Sequence, residues 1–268
     1  MNLVFLKLGG SLITDKDKKD TPNLGKISEV SAEISKALND TPDLHLVLGH
    51  GSGSYGHHAA MQFGTRDGVR SPKEWEGFAS VWERAHALNT ILVDALINAN
   101  VPLISISPSS SVITQNHAIK SWNTFPVEEA LKNHLVPLVH GDVVFDSILG
   151  GTILSTEELF AYLALKLIPN RILLAGIEPG VWNDYESQEF IISKITPASF
   201  TASSSEKMHS ISPDVTGGMG SKISSMLKII EKSPHTSISI FSGKESGNIY
   251  SSLTGKNLGT LLTCDERG

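Results

Sequence analysis

Short apolar runs alternate with longer amphipathic stretches along the chain, the pattern of an α/β protein. Runs of four to six residues rich in Val, Ile or Leu fall at Leu3–Leu8, Leu44–Leu48, Pro102–Ile106, Leu135–Val139, Arg171–Leu174 and Ser237–Phe241. Their continuous apolar character predicts strands covered on both faces. Between them the spacing of three and four predicts helices. Ile27–Leu38 places Ile27, Val30, Ile34 and Leu38 on one face, and Trp75–Asn98 does the same with Trp82, Ala85, Leu88 and Leu92. Glu157–Leu167 and Met219–Lys232 complete the set, the last with Ile223, Met226, Leu227 and Ile230 on one side. No solenoid repeat and no domain linker stands out. Ser199–Ser212, rich in Ser and poor in apolar residues, reads as a surface loop.

The length of 268 residues and a hydrophobic fraction of 40% suit one large α/β domain with a full core. A division near residue 170 is plausible, because the halves carry different glycine motifs. The charge is 22 basic against 28 acidic residues, net −6, which argues against a nucleic-acid binder. An acidic protein that handles phosphates must gather its useful cations locally. The single cysteine, Cys264, rules out a disulfide within the chain and reads as incidental. Six residues precede the first lysine, too few for a signal peptide or a membrane span. The expectation is a soluble cytoplasmic protein.

Four segments carry candidate chemistry. Lys7-Leu-Gly-Gly-Ser11, with Lys16 just beyond, follows the first strand. Glycines there let backbone amides approach phosphate oxygens, and a half-buried lysine at a strand end needs an anion. An ordinary strand-to-turn transition stays open as the plainer reading, and the segment is not a Walker A loop. Leu48-Gly-His-Gly-Ser-Gly-Ser-Tyr-Gly-His-His58 follows the second strand and reads as a loop of exposed amides, a concave anion site. His57 and His58 end it. Adjacent side chains diverge and no ligand cluster follows, so a histidine donating to phosphate fits better than a metal. In His140-Gly-Asp142, Asp142 either orients a cation near a ligand or is a turn aspartate satisfied locally. Asp214-Val-Thr-Gly-Gly-Met-Gly-Ser-Lys222 runs into a helix, whose N-terminal amides and dipole favour phosphate. Asp214 and Thr216 as plain caps remain the alternative. Gly243-Lys-Glu-Ser lacks P-loop spacing, and the sequon at Asn39-Asp-Thr41 carries no weight without a secretion signal.

The order of these segments resembles the amino acid kinase superfamily over roughly residues 3 to 263, ending at Gly259-Thr-Leu-Leu262. Within it, Ser52-Gly-Ser-Tyr-Gly-His57, Lys16, Pro102–Ser111 and Gly141-Asp-Val-Val144 look like the isopentenyl phosphate kinases, with fosfomycin kinase as the competitor. The chain departs from the family pattern twice. Leu154-Ser-Thr-Glu-Glu158 stands for a more usual Ser-Gly-Asp-Asp, and Gly176-Ile-Glu-Pro-Gly180 for Asp-Val-Asp-Gly.

The resemblance implies a three-layer α/β/α sandwich with a mainly parallel central sheet. One domain would span residues 1–268, with residues 1–170 as acceptor lobe and 171–268 as nucleotide lobe. It further implies ATP with Mg²⁺, isopentenyl phosphate or dimethylallyl phosphate as acceptor, no membrane or nucleic-acid partner, and a homodimer. Lys7, Lys16 and His57 would be catalytic, with no protein ligand to a metal. Ser52, Gly53, Thr156 and Asp142 would join His57 on the acceptor. Gly9, Gly10, Ser11, Gly53, Gly176, Gly180, Gly218 and Lys222 would join Lys7 on the nucleotide. No general base is demanded, since a phosphate monoester is already nucleophilic near neutral pH. The isoprenoid tail would lie against the Trp75–Asn98 helix, with Phe78, Val81, Trp82 and Ile91 available. A non-catalytic sensor on the same fold, or a dinucleotide oxidoreductase, are the rival classes. The intact Lys7, His57 and Lys222 disfavour the first, and the lack of a Gly-x-Gly-x-x-Gly at strand one disfavours the second.

Overall fold

The computed structural model describes residues 2–15, 17–200 and 218–264, the imidazoles of His57 and His58 excepted. Strand β1 (Asn2–Leu8) leads into a single helical turn, α1 (Gly10–Ile13), then α2 (Leu24–Asp40), β2 (Leu44–His50) and α3 (Gly53–Phe63). The long α4 (Pro72–Asn98) precedes β3 (Leu103–Ser105), β4 (Val112–Gln115), β5 (Ala118–Trp122) and α5 (Phe125–Lys132). Next come β6 (Val136–His140), β7 (Asp142–Asp146), β8 (Gly150–Leu154), α6 (Thr156–Leu167) and β9 (Arg171–Gly176). Three two-residue strands follow, β10 (Val181–Trp182), β11 (Ile191–Ile192) and β12 (Lys194–Ile195). The described chain ends with α7 (Gly218–Lys232), β13 (Ser237–Ser242), α8 (Asn248–Leu253) and β14 (Thr260–Leu262). All six strands and four helices read from the apolar pattern are present, with ends shifted by a few residues.

The central sheet has the order β12-β14-β13-β9-β1-β2-β6-β3. Strands β3, β6, β2, β1, β9 and β13 run parallel, and β14 is antiparallel to β13. Because β1 pairs with both β2 and β9, residues before and after position 170 share one sheet. The chain moves outward from β1 through β2 and later returns to its other side with β9. That is a topological switch point, outside whose carboxyl ends open α/β sheets bind ligands.

The strand period of two sorts β1 between two cores. Leu3 and Phe5 face Phe160 and Leu163 of α6 and Ile223 and Met226 of α7. Val4, Leu6 and Leu8 face Ile27 and Ile34 of α2 and Leu88 and Leu92 of α4. Lys7 therefore belongs to the α6/α7 side, at the carboxyl end of the strand. A side chain such as Phe160, fully buried with its ring 5.1 Å from that of Phe5, fixes α6 against β1. Truncating it to Ala would cost about 3–5 kcal/mol. Among the described residues no helix is long and apolar enough to cross a membrane.

Three features differ from the sequence reading. The glycine-rich segment after β2 is helical from Gly53, although Gly is a poor helix former. Tertiary packing offsets the propensity: Ala59 and Ala60 pack with Phe78 and Val81 of α4, and Gly77 leaves no room for a Cβ beside Phe63. A second sheet, ordered β5-β4-β7-β8, was not predicted. Its β4–β5 turn, Asn116-His117, has φ of 49° and 68°, a primed turn without the usual glycine. Asp146 secures it by accepting the Asn116 and His117 amides at 3.1 and 3.0 Å. Trp82 is also corrected: it is 41% exposed, stacked on His86, and Val81 is the residue buried beside it.

Candidate active site

Three loops meet at the carboxyl ends of β1, β2 and β9. Gly9 donates its amide to Ala175 O at 2.7 Å, and Gly51 donates to Leu8 O at 3.0 Å. A Cβ on Gly10 would lie 2.5 Å from Gly53 Cα, so these two backbones touch and neither position admits a side chain. Gly53 further needs φ of +50°, a conformation glycine enters without strain. Thr14 pins the pair together: its hydroxyl donates to Gly10 O at 2.7 Å and accepts the Ser54 amide at 3.0 Å. The amides of Gly10, Ser11, Ser52 and Gly53 meet no acceptor among the described residues. Four free N–H donors around one backbone contact make a surface suited to anions.

Lys7 lies beneath this surface and is 9% exposed. Its ammonium forms an ion pair with Glu157 in the first turn of α6, both side chains nearly buried. Burial alone would push the Glu157 carboxyl up. The Lys7 ammonium, then that of Lys222 on α7, outweigh burial and hold it below its ordinary value of 4.5. Glu157 is thus an ionised carboxylate between two lysines from β1 and α7. The start of α6 is set by a capping box in which Ser155 Oγ accepts the Glu158 amide at 3.2 Å and Glu158 accepts the Ser155 amide at 2.7 Å. The departure from the family pattern at Leu154–Glu158 therefore retains both a helix cap and an acid against Lys7. Arg66 reaches Glu158 at 3.1 Å and Ile153 O at 3.2 Å, tying the end of α3 to this helix start.

The expected site residues divide into three groups. Lys7, Gly9, Gly10, Ser11, Ser52, Gly53 and Gly176 line the meeting point of the loops, and nothing would stand closer than 4.0 Å to a Cβ on Gly176. Gly218 and Lys222 open α7 on the same side. Three others make contacts within the fold. Thr156 is buried and donates its hydroxyl to His50 O at 2.6 Å, fastening α6 to β2. Asp142 is buried too, accepting the Val143 amide at 2.8 Å and the Ser109 amide at 3.1 Å, the behaviour of a turn aspartate. Burial pushes its carboxyl up, and those amides partly offset the rise. Gly180 is turned inward, where a Cβ would meet Ile191 and Thr260 at 2.6 and 2.8 Å. Lys16, Asp214 and Thr216, the imidazoles of His57 and His58, and most of Ser199–Ser212 lie outside the described residues.

Glu157 was absent from the expected set. Its signal was the pair of acids opening a helix. The contact with Lys7 spans 150 residues and is not readable from spacing. Beyond the glycine-rich segment after β2, Ala59 and Ala60 of α3 close on Phe78 and Val81 of α4, Val69 and Val143, a small apolar cluster distinct from the two cores of the sheet. The lysines and free amides together suit an anionic ligand such as a phosphate.

Comparison with known proteins agrees with this geometry. Residues 2–242 match the amino acid kinase family. The isopentenyl phosphate kinase of Methanocaldococcus jannaschii is 33% identical over 270 residues, covering 98% of this chain and 100% of that protein. That of Methanothermobacter thermautotrophicus is 28% identical, covering 97% and 99%. A solved X-ray structure of an isopentenyl phosphate kinase superposes with a TM-score of 0.83 at 26% identity, over 97% of this chain and 100% of the other.

Proposed function

The chain belongs to the amino acid kinase family, and from that membership we propose that it transfers the γ-phosphoryl group of ATP to isopentenyl phosphate, releasing isopentenyl diphosphate and ADP. The observation that carries the reading is the Lys7–Glu157 pair set directly under the Gly10–Gly53 contact. Phosphoryl transfer asks a protein for in-line positioning and charge neutralisation more than for covalent chemistry. This cleft offers both from rigid strand ends.

In this reading the Gly10 and Ser11 amides bind the nucleotide phosphates from one side, and Gly218 and Lys222 from the other. Lys7, steered by Glu157, spans the donor and transferring oxygens. The Ser52 and Gly53 amides hold the acceptor phosphate with His57, and Lys16 adds charge to the terminal phosphates. A bound Mg²⁺ supplies charge neutralisation on the phosphate oxygens. Among the described residues no cluster of three His, Cys, Asp or Glu side chains could hold an ion by itself. A metal carried mainly on phosphate and water is the ordinary arrangement in such sites. The tail lies against Phe78, Val81 and Val143, which exclude water from the acceptor. A homodimer and a cytoplasmic setting belong to the same proposal.

The test is His57→Ala. Loss of one preorganised donor costs about 10²–10³ in rate, so turnover of isopentenyl phosphate should fall by that factor while ATP affinity stays near normal. Unchanged turnover would remove His57 from the acceptor site.

A further inference from the structure

Beneath the acceptor loop lies a chain of buried polar groups that the transfer reaction does not use directly. His50 ends β2 and His140 ends β6; both are buried, and their rings stack 5.2 Å apart at 4°. His50 Nδ1 lies 3.1 Å from Gly51 O, and its Nε2 lies 3.2 Å from Asn89 Oδ1. Asn89, buried on α4, extends the chain to Ser105 Oγ on β3, 3.0 Å from its Nδ2.

As placed, both ring nitrogens face oxygen acceptors, which only a doubly protonated imidazolium satisfies. Charge is disfavoured here, because burial and then the neighbouring His140 bring the His50 pKa down to about 4. A neutral ring has one N–H to give. The oxygen and nitrogen of an Asn amide exchange places by a half-turn of the side-chain amide, and the hydrogen-bond partners decide between the two. With that turn, Asn89 donates to His50 Nε2 and accepts from the Ser105 hydroxyl. His50 then keeps its single proton on Nδ1 and donates it to Gly51 O, so each group from Gly51 O through His50 and Asn89 to Ser105 has a partner of the right sign. The opposite tautomer sets an Nδ1 lone pair against the Gly51 carbonyl.

The Gly51–Ser52 peptide is planar and trans, so its C=O and N–H point in opposite directions. Drawing Gly51 O inward onto His50 turns the Ser52 amide outward, where it meets no acceptor among the described residues. We propose that His50 and Asn89 are positioning residues which, through the Nδ1–H tautomer, hold the Ser52 amide ready as a donor to the acceptor phosphate. The identity of that anion rests on the kinase reading; the tautomer does not.

Two-bond ¹H–¹⁵N correlations of the ligand-free protein at pH 7 read the tautomer, with the His50 signals assigned by their absence in His50→Gln. The expected pattern has Nδ1 protonated and Nε2 as acceptor; a protonated Nε2 overturns the proposal. Kinetics supply the second arm. His50→Asn keeps an N–H near the Nδ1 position, whereas His50→Gln moves it to the Nε2 position. His50→Gln should raise the KM of isopentenyl phosphate about tenfold or more and leave that of ATP within about twofold, while His50→Asn stays within about threefold of wild type. Asn89→Asp offers Nε2 an acceptor, and should shift both the correlation pattern and the acceptor KM as His50→Gln does. Equal losses in His50→Asn and His50→Gln, tracking equal falls in melting temperature, would show packing alone and overturn the proposal. Should wild type not turn over isopentenyl phosphate, the kinase reading fails, and the tautomer still decides the role of His50.

Discussion

Replacing Glu157 with Gln removes one negative charge from between Lys7 and Lys222 and nearly preserves shape. The two side chains of the Lys7–Glu157 pair are 11% and 10% exposed. Breaking a buried pair from one side costs about 3–5 kcal/mol, because the remaining charge stays desolvated. The residual exposure favours the lower end, about 3 kcal/mol. For a protein of this size each kcal/mol moves the melting temperature by about 2–4 °C, so Glu157→Gln should melt roughly 6–12 °C below wild type. Scanning calorimetry without ligand at pH 7.5 measures this. ATP should then raise the melting temperature of the variant more than that of wild type, because its phosphates supply the missing anion. The pH dependence has a definite sign. The Glu157 carboxyl titrates below its ordinary 4.5 despite burial, owing to the Lys7 and Lys222 ammoniums. Its contribution is therefore complete above the ordinary carboxylate range and is lost as pH falls through the lowered value. The gap between variant and wild type should persist from pH 7.5 to about 4.5 and close below that. A variant melting within about 2 °C of wild type at pH 7.5 would refute the ion pair as an energetic feature of the site.

Two further outcomes follow from other parts of the molecule. Gly10→Ala drives a methyl into the Gly53 backbone, which cannot yield as a flexible side chain would; turnover should drop about 10²-fold or more through misplacement of the loop, measured by initial rates at saturating ATP. His50 and His140 are buried neutral rings with pKa values lowered to about 4, for His50 by burial and then His140, for His140 by burial and then His86. Unfolded histidines titrate near 6.5, so the unfolded state binds more protons between these values and stability should decline from pH 6.5 to about 4, by up to about 1.4 kcal/mol per pH unit for each ring. Denaturant midpoints across that range check it, and a flat profile would contradict the buried neutral pair.

Much of the scaffold was legible because buried parallel strands are written as unbroken Val, Ile and Leu runs. The strands at Leu3–Leu8 and Leu44–Leu48 needed no partner to be recognised. The second sheet was not legible because its strands are short and mixed. Ala118–Trp122 buries only its last residue, so the alternation that marks a half-buried strand is too weak to register. Helix α3 was hidden by glycines whose helical state depends on α4, a contact no local pattern announces. Trp82 falls on the apolar stripe by spacing, yet α4 turns Val81 inward and leaves Trp82 exposed, because spacing alone does not set the helix's rotation against its neighbours. At the site, the glycine loops were visible as composition, since close backbone approach demands residues without a Cβ. What those loops surround was not visible. The partnership of Lys7 with Glu157 depends on the crossover of α6, and that of His50 with Asn89 on the packing of α4 against β2. Thr156, opening α6, and Asp142, opening β7, show that polar residues beside a glycine loop also bond the backbone, a partnership no spacing announces.

The central claim is a phosphate-accepting kinase with an isoprenoid substrate, and ADP release tests it most directly. ATP and Mg²⁺ would be supplied with isopentenyl phosphate, dimethylallyl phosphate and fosfomycin in parallel, and kcat/KM compared. The account predicts strong turnover of the isoprenoid phosphates and none of fosfomycin. Turnover of fosfomycin alone, or of no acceptor, would leave the fold standing and contradict the substrate.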